Sequence, residues 1–172
     1  MRYRLDVVAT SVADVVKFAG GWLFDRAMAG WDVTVLVADH PDGRPLQILG
    51  AQTLDLEYAL AAVGERPRPQ ALAAAADLFG CDPRIRRGVL QALDHGVTEV
   101  ALWGQTWPSE LNDSCGLVHH RLSAAARVFK AQALAATPAG EAWDAPQIGA
   151  TETFRSGIMT CPPVAADLIP AG

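Results

Sequence analysis

The chain has 172 residues, of which 51% are hydrophobic, and its formal net charge is −5. This length suits one domain with one core, and the acidic balance argues against a broad nucleic-acid-binding surface. Three widely spaced cysteines do not form a disulfide framework, so we expect a reducing, cytoplasmic location. We expect no membrane association, because no apolar run approaches the roughly 20 residues that cross a bilayer and no secretory signal pattern follows Met1.

The first elements in chain order indicate a parallel sheet. Alternation predicts a strand over 3–9, and apolar residues at helical spacing predict a helix from 12 to about 29, with Ser11 as its N-cap. Gly20 and Gly21 lie inside this helix, which indicates either close packing on the sheet or a break in the helix. A β-branched run follows over 33–38. A helix that leads through a glycine into a strand is half of a βαβ unit, which is typical of parallel sheets.

The middle of the chain repeats this pattern. We predict a short strand over 46–49, a helix over 53–63, and an alanine-rich helix over 71–79. A further helix over 83–95 begins at Asp82-Pro83 and leads into a strand over 97–103, and the apolar spacing predicts a long helix over 117–136. The sequence therefore predicts a three-layer α/β domain over residues 1–137, with a mainly parallel sheet of four or five strands.

The last part of the chain differs in composition. Residues 138–172 are rich in proline, glycine and small side chains, and we predict a C-terminal extension there. A hairpin is expected where 151–154 and 158–160 flank the turn-like Arg155-Ser156-Gly157.

Complete catalytic motifs are missing from the sequence. Neither G-x-G-x-x-G nor G-x-x-x-x-G-K-[ST] occurs, so no Walker A lysine is available for a nucleoside triphosphate, and no G-x-S-x-G nucleophile elbow occurs. These absences favour a non-catalytic protein without a cofactor. A small-molecule-binding domain remains an alternative, since the crevice at the carboxyl ends of parallel strands needs no signature.

A metal-dependent alternative is based on residues 39–43, Asp-His-Pro-Asp-Gly. This segment is similar to part of the His-Pro-Asp-Asp motif of LmbE/PIG-L-type zinc deacetylases, with Gly43 in place of the second aspartate, the residue expected to act as base. The resemblance implies a hydrolase with a zinc site formed by His40 and Asp42, completed by His119 or His120. Cys115 and these last two histidines alone lack the second pair of ligands that a structural zinc site needs.

A second resemblance covers roughly residues 19–130. The order of elements resembles RecA-like accessory proteins of the bacterial SOS response that lack ATP-site residues, on the segments 30–35, 44–46, 49–51, 90–96, 100–103 and 120–126. That resemblance implies a scaffold that binds protein partners of a DNA-damage or translesion assembly. Exposed aromatic residues after a strand suit such a surface, and the candidate partner-binding residues are Trp103, Trp107 and Arg121.

Overall fold

A computed structural model describes residues 2–38, 42–62, 64–137, 148–157 and 167–171. Within these ranges it contains eight strands, six helices and one 3-10 turn. The strands are β1 (Arg4–Ala9), β2 (Asp32–Val37), β3 (Gln52–Asp55), β4 (Ala71–Ala75), β5 (Glu99–Trp103), β6 (Cys115–Arg121), β7 (Thr151–Gly157) and β8 (Ile169–Pro170). The helices are α1 (Val12–Met28), α2 (Arg44–Ile48), α3 (Leu56–Ala61), α4 (Ala76–Cys81), α5 (Pro83–His95) and α6 (Ala124–Ala135), and the 3-10 turn is Ser109–Leu111.

The eight strands form one mixed sheet in the order β3-β2-β1-β4-β5-β7-β6-β8. The first five strands in this order are parallel, whereas β7 pairs antiparallel with both β5 and β6, and β6 pairs antiparallel with β8. The predicted three-layer α/β fold with a mainly parallel sheet is confirmed. The sheet has more strands than the predicted four or five, because β4 and the antiparallel strands add to it.

Helices cover both faces of the sheet. One core lies between the sheet and α1, α2 and α6, and a second core lies between the opposite face and α3, α4 and α5. Strand β1 is buried from Leu5 to Ala9, as expected for a central strand covered on both sides. No helix in the described part of the chain is long and apolar enough to span a membrane.

Helix α1 begins as predicted and passes close to β7 and α6. The Ser11 hydroxyl accepts a hydrogen bond from the Asp14 backbone N–H at 3.2 Å. The Gly21 backbone N–H donates to Glu152 Oε1 at 2.5 Å, and a Cβ at Gly21 would overlap the side chains of Leu122 and Glu152. The glycine pair therefore serves close packing, and the helix continues through it.

Several segments form a strand where a helix was predicted, or a helix where a strand was predicted. Residues 71–75 form β4 before α4 begins, residues 44–48 form α2 where a strand was expected, and 117–121 belong to β6 before α6 begins. The predicted helix over 53–63 begins as the short strand β3. A short apolar run fits both the helical and the strand periodicity, so its position in the fold decides which structure forms. Strand β4 lies buried between β1 and β5, where only a strand can form hydrogen bonds with both neighbours.

The C-terminal extension contributes to the sheet. Strand β7 runs through Arg155-Ser156-Gly157, which were predicted as a turn, and lies between β5 and β6. The second arm of the predicted hairpin, 158–160, lies outside the described residues.

Candidate functional site

A cavity of about 310 Å³ opens at the carboxyl ends of β1, β4 and β5. From β1 the chain proceeds to β2 and β3 on one side of the sheet, and afterwards to β4 and β5 on the other side. The gap between β1 and β4 is therefore the topological switch point, where open α/β sheets leave a crevice for ligands. We call this cavity the rim pocket. Its lining residues are Asp14, Phe18, Ala75, Asp77, Trp103, Gly104, Gln105 and Thr106.

One wall of the rim pocket comes from the first turns of α1. Asp14 and Phe18 are four residues apart, so both side chains lie on the same helix face. Asp14 Oδ2 accepts a hydrogen bond from Trp103 Nε1 at 3.1 Å. Trp103 is the last residue of β5 and is only 2% exposed, so this bond fixes the Asp14 carboxylate at the edge of the core.

The opposite wall follows β4 and β5. Asp77 lies in the first turn of α4, is exposed, and accepts a hydrogen bond from the Leu78 backbone N–H at 2.9 Å. Gly104 has φ of +140°, which favours glycine, and a Cβ there would lie 3.3 Å from Ala76 Cβ. This close approach brings the loop after β5 beside the start of α4, so that Gln105 and Thr106 complete the pocket.

The donor set of the rim pocket does not fit zinc. A catalytic zinc site has three protein ligands, most often with histidine among them, whereas the pocket offers two carboxylates and no histidine. Over all the described residues, no group of three or more His, Cys, Asp and Glu side chains could hold a metal ion.

Of the candidate zinc ligands that the structure describes, Asp42 does not lie near His119 or His120. Asp42 lies beyond β2, exposed, with its carboxylate accepting the Arg44 backbone N–H at 3.0 Å. His119 is on β6, five strand-to-strand steps from β2, or roughly 24 Å at about 4.8 Å per step. His120 instead pairs with Asp25 at 2.8 Å. His40 lies outside the described residues.

The three candidate partner-binding residues do not form one surface. Trp103 is buried and belongs to the core beneath α1, whereas Trp107 is half-buried and packs against the core on the opposite sheet face. The Arg155 guanidinium lies 4.7 Å from the Trp107 ring centroid. Arg121 is exposed at the end of β6.

A buried ionic network beneath α1 was missed from the sequence. Arg26 is 1% exposed and pairs with Glu99 at 3.0 Å and with Asp167 at 2.6 Å. Its guanidinium also stacks on Trp22 and Trp31, with centroid distances of 4.9 and 4.3 Å. Burial raises the pKa of Glu99, against the lowering effect of Arg26. In the sequence, Asp25-Arg26 on a helix and Glu99 on a strand have the pattern of surface charges. The spacing of these residues therefore does not predict the buried network.

A serine, an aspartate and a histidine meet nearby, but in an order that does not suit nucleophilic catalysis. Asp25 accepts from Ser123 Oγ at 2.5 Å, and its other oxygen faces His120 Nε2 at 2.8 Å. The carboxylate thus lies between the hydroxyl and the imidazole, whereas a triad needs the histidine to take the serine proton. Ser123 also caps α6, so this cluster joins α1 to α6.

Glu152 on β7 is the most strongly perturbed carboxyl of the network. Burial raises its pKa to about 7, while Lys130 and the backbone N–H groups of Gly21 and Trp22 act in the opposite direction. Lys130 Nζ lies 3.5 Å from Glu152 Oε1 and donates to the Lys17 carbonyl at 2.7 Å.

Comparisons with known proteins identify the fold. No protein-family model matches the chain, and no curated protein does. Among solved structures, the A40926 pseudoaglycone deacetylase Dbv21 matches with a TM-score of 0.59 at 17% identity, covering 94% of this chain and 99% of that one. A deacetylase–teicoplanin complex matches with a TM-score of 0.61 at 14% identity, covering 92% and 99%. The 4-carboxy-2-hydroxymuconate hydratase GalB of Pseudomonas putida KT2440 matches with a TM-score of 0.58 at 15% identity, covering 95% and 98%.

These structures overturn the RecA-like interpretation. The neighbours are deacetylases and a hydratase, so the expectation of an SOS-response or DNA-damage scaffold with repair-protein partners is wrong. The resemblance rested on helices that end in a glycine and lead into a strand, and many α/β folds share this pattern. At 14–17% identity, these neighbours show that the chain shares its fold with deacetylases and with a hydratase.

Proposed function

We propose that this protein is a divergent hydrolase of the deacetylase fold, which removes an acyl group from the nitrogen of a small molecule held in the rim pocket. The observation that carries the proposal is a switch-point cavity with two carboxylates, Asp14 and Asp77, in a chain whose fold matches deacetylases over most of its length. The fold alone does not assign chemistry, so the proposal depends on the pocket residues.

Amide hydrolysis requires proton transfers that a carboxylate can perform. Water attacks the carbonyl carbon, the C–N bond breaks, and the products are a carboxylic acid and an amine. Asp77, exposed at the pocket wall, takes the proton from water and returns it to the leaving nitrogen. Asp14, fixed by Trp103, orients the substrate by accepting hydrogen bonds from its polar groups. Phe18 and Trp103 supply an apolar wall for the rest of the molecule.

The first test is acetate release from N-acetylated amino sugars, amines and amino acids, together with teicoplanin and the A40926 pseudoaglycone. We expect turnover of at least one class, and a loss of kcat of about 10²-fold or more in Asp77→Asn. Asp32→Asn is the matched control, because Asp32 begins β2 at the opposite end of the sheet. Equal activity in Asp77→Asn and Asp32→Asn would refute the assignment of Asp77.

Zinc is the second question, because one neighbour is a zinc-inhibited form of teicoplanin deacetylase. The rim pocket offers two carboxylates and no histidine, so we expect hydrolysis there to persist after chelation. Elemental analysis of the purified protein and of His40→Ala tests this. One zinc per chain, lost in His40→Ala together with activity, would replace the carboxylate mechanism by a metal-dependent one.

Binding without turnover is the second candidate function, because a crevice at the switch point of a parallel sheet can hold a ligand without catalysing a reaction. In that case the same compounds raise the melting temperature without releasing acetate. Asp14→Asn should then weaken the thermal shift, whereas Asp32→Asn should leave it unchanged.

A further inference from the structure

A second cavity lies on the opposite face of the sheet from α1 and does not depend on the rim pocket. It has a volume of about 260 Å³ and opens between α3 and α5. Val8 and Leu36 form its floor, and Ala59, Ile85 and Val89 form its helical walls. We call this cavity the α3–α5 pocket.

Charged side chains meet the apolar lining of this pocket. Asp6 lies two residues before Val8 on β1, so both side chains point to the same face, and Asp6 is only 8% exposed. Its carboxylate pairs with Arg4 at 3.2 Å and with Arg66 at 3.4 Å. Two guanidinium groups thus share one carboxylate at this end of the pocket, so Asp6 alone does not neutralise both. Arg84 also lines the pocket, but Glu57 and Asp82 bind its guanidinium at 2.7 and 3.0 Å.

A glycine keeps the entrance open. Gly88 lies in the middle of α5, is exposed and lines the pocket, and apart from its chain neighbours and the adjacent backbone of α5 no heavy atom lies within 4 Å of the position of its Cβ. Glycine in a helix interior costs about 1 kcal/mol relative to alanine, so this position is not explained by helix stability.

The volume sets the size of the ligand. A cavity of about 150 Å³ lined by apolar side chains binds benzene, with six carbons. By that scale, 260 Å³ accommodates an apolar chain of roughly eight to ten carbons. We infer that the α3–α5 pocket binds a small amphipathic carboxylate, with the chain between Val8, Leu36 and Val89 and the carboxylate paired with Arg66.

The test is calorimetric titration of the full chain with octanoate. We expect one site per chain, at least tenfold weaker binding of 1-octanol, which lacks the charge, and no measurable binding of acetate, which lacks the chain. Arg66→Gln should weaken octanoate at least fivefold and leave octanol unchanged. Octanol binding as tightly as octanoate, or octanoate binding that is insensitive to Arg66→Gln, would overturn the inference.

Two glycine variants control for location and folding. Gly88→Leu places a side chain at the entrance and should weaken octanoate at least tenfold. Gly80→Leu is the matched control, because Gly80 is also exposed, has open space at its Cβ position and does not line the pocket. Equal affinity in the two variants would place octanoate elsewhere. Asp14→Asn should not change octanoate binding, so this test does not depend on the outcome at the rim pocket.

Discussion

The burial of Glu152 makes the stability of this protein depend on pH near neutrality. Its pKa is about 7 in the folded state, against an ordinary value of 4.5. Between these values the folded protein holds a proton that the unfolded chain has lost. The contribution of Glu152 to stability is therefore fully present below pH 4.5 or so and is lost as the pH rises through about 7.

The magnitude follows from the size of the shift. A shift from 4.5 to about 7 corresponds to about 3 kcal/mol in the free energy of unfolding. For a chain of this length, 1 kcal/mol changes Tm by about 2–4 °C, so the expected change is about 6–12 °C. Glu152→Gln keeps the shape and an oxygen acceptor for the Gly21 N–H but removes the titration.

The assay is urea unfolding of the wild type and Glu152→Gln at several pH values from 4.5 to 8. The difference between the two profiles isolates Glu152, because every other ionisable group is present in both proteins. We expect the wild type to lose about 3 kcal/mol relative to Glu152→Gln across this interval. Parallel profiles would refute the reasoning, and would mean that Lys130 compensates the buried charge completely.

The remaining predictions concern packing and pairing, and all are checked by the same unfolding measurement. Gly21→Ala should destabilise the protein by about 1–3 kcal/mol, because its Cβ overlaps neighbouring side chains, whereas Gly20→Ala, whose closest contact would be 3.3 Å, should be tolerated. Equal effects at the two glycines would contradict the packing. Arg26→Met should cost about 3–5 kcal/mol, since it leaves Glu99 buried without its cation, and the double variant Arg26→Met/Glu99→Met should recover part of this. A double variant that is less stable than the single one would contradict this explanation. Trp103→Phe should cost about 1 kcal/mol through the lost bond to the Asp14 carboxylate, and no change would show that this bond adds nothing.

The fold class could be predicted because its signals are local. The Ser11 cap, the helix that follows and the run over 33–38 identify β1-α1-β2, and Asp82-Pro83 identifies the start of α5. The order in space could not be predicted from these signals. Residues 71–75 are alanines and a leucine with good helix propensity, and they become a strand only because β1 and β5 pair with them.

The candidate site was harder to predict because its residues are far apart in sequence. Asp14, Asp77 and Trp103 meet only because β1, β4 and β5 end at the same edge of the sheet. Residues 39–43 place a histidine and two aspartates side by side in the sequence, and this suggested a metal site. Asp42 follows β2, however, whereas His119 is on β6, five strand-to-strand steps away. Trp103 and Trp107 were predicted from the sequence as candidate partner-binding residues, whereas Gln105 and Thr106, which lie between them and line the rim pocket, were not predicted.

The position of the two carboxylates distinguishes the rim pocket from the other charged groups of the molecule. Asp25, Glu99 and Glu152 are held in the buried network beneath α1, where each is bound by cationic or backbone donors and stabilises the contact between layers. Asp77 instead reaches solvent at the switch point, where a ligand can displace water from it. Groups that hold a fold together are satisfied by the protein, and groups that act on a substrate must remain accessible to it. On this criterion the proposed chemistry depends on Asp77, and not on the larger cluster of ionisable residues or on the Asp14 carboxylate, which Trp103 holds.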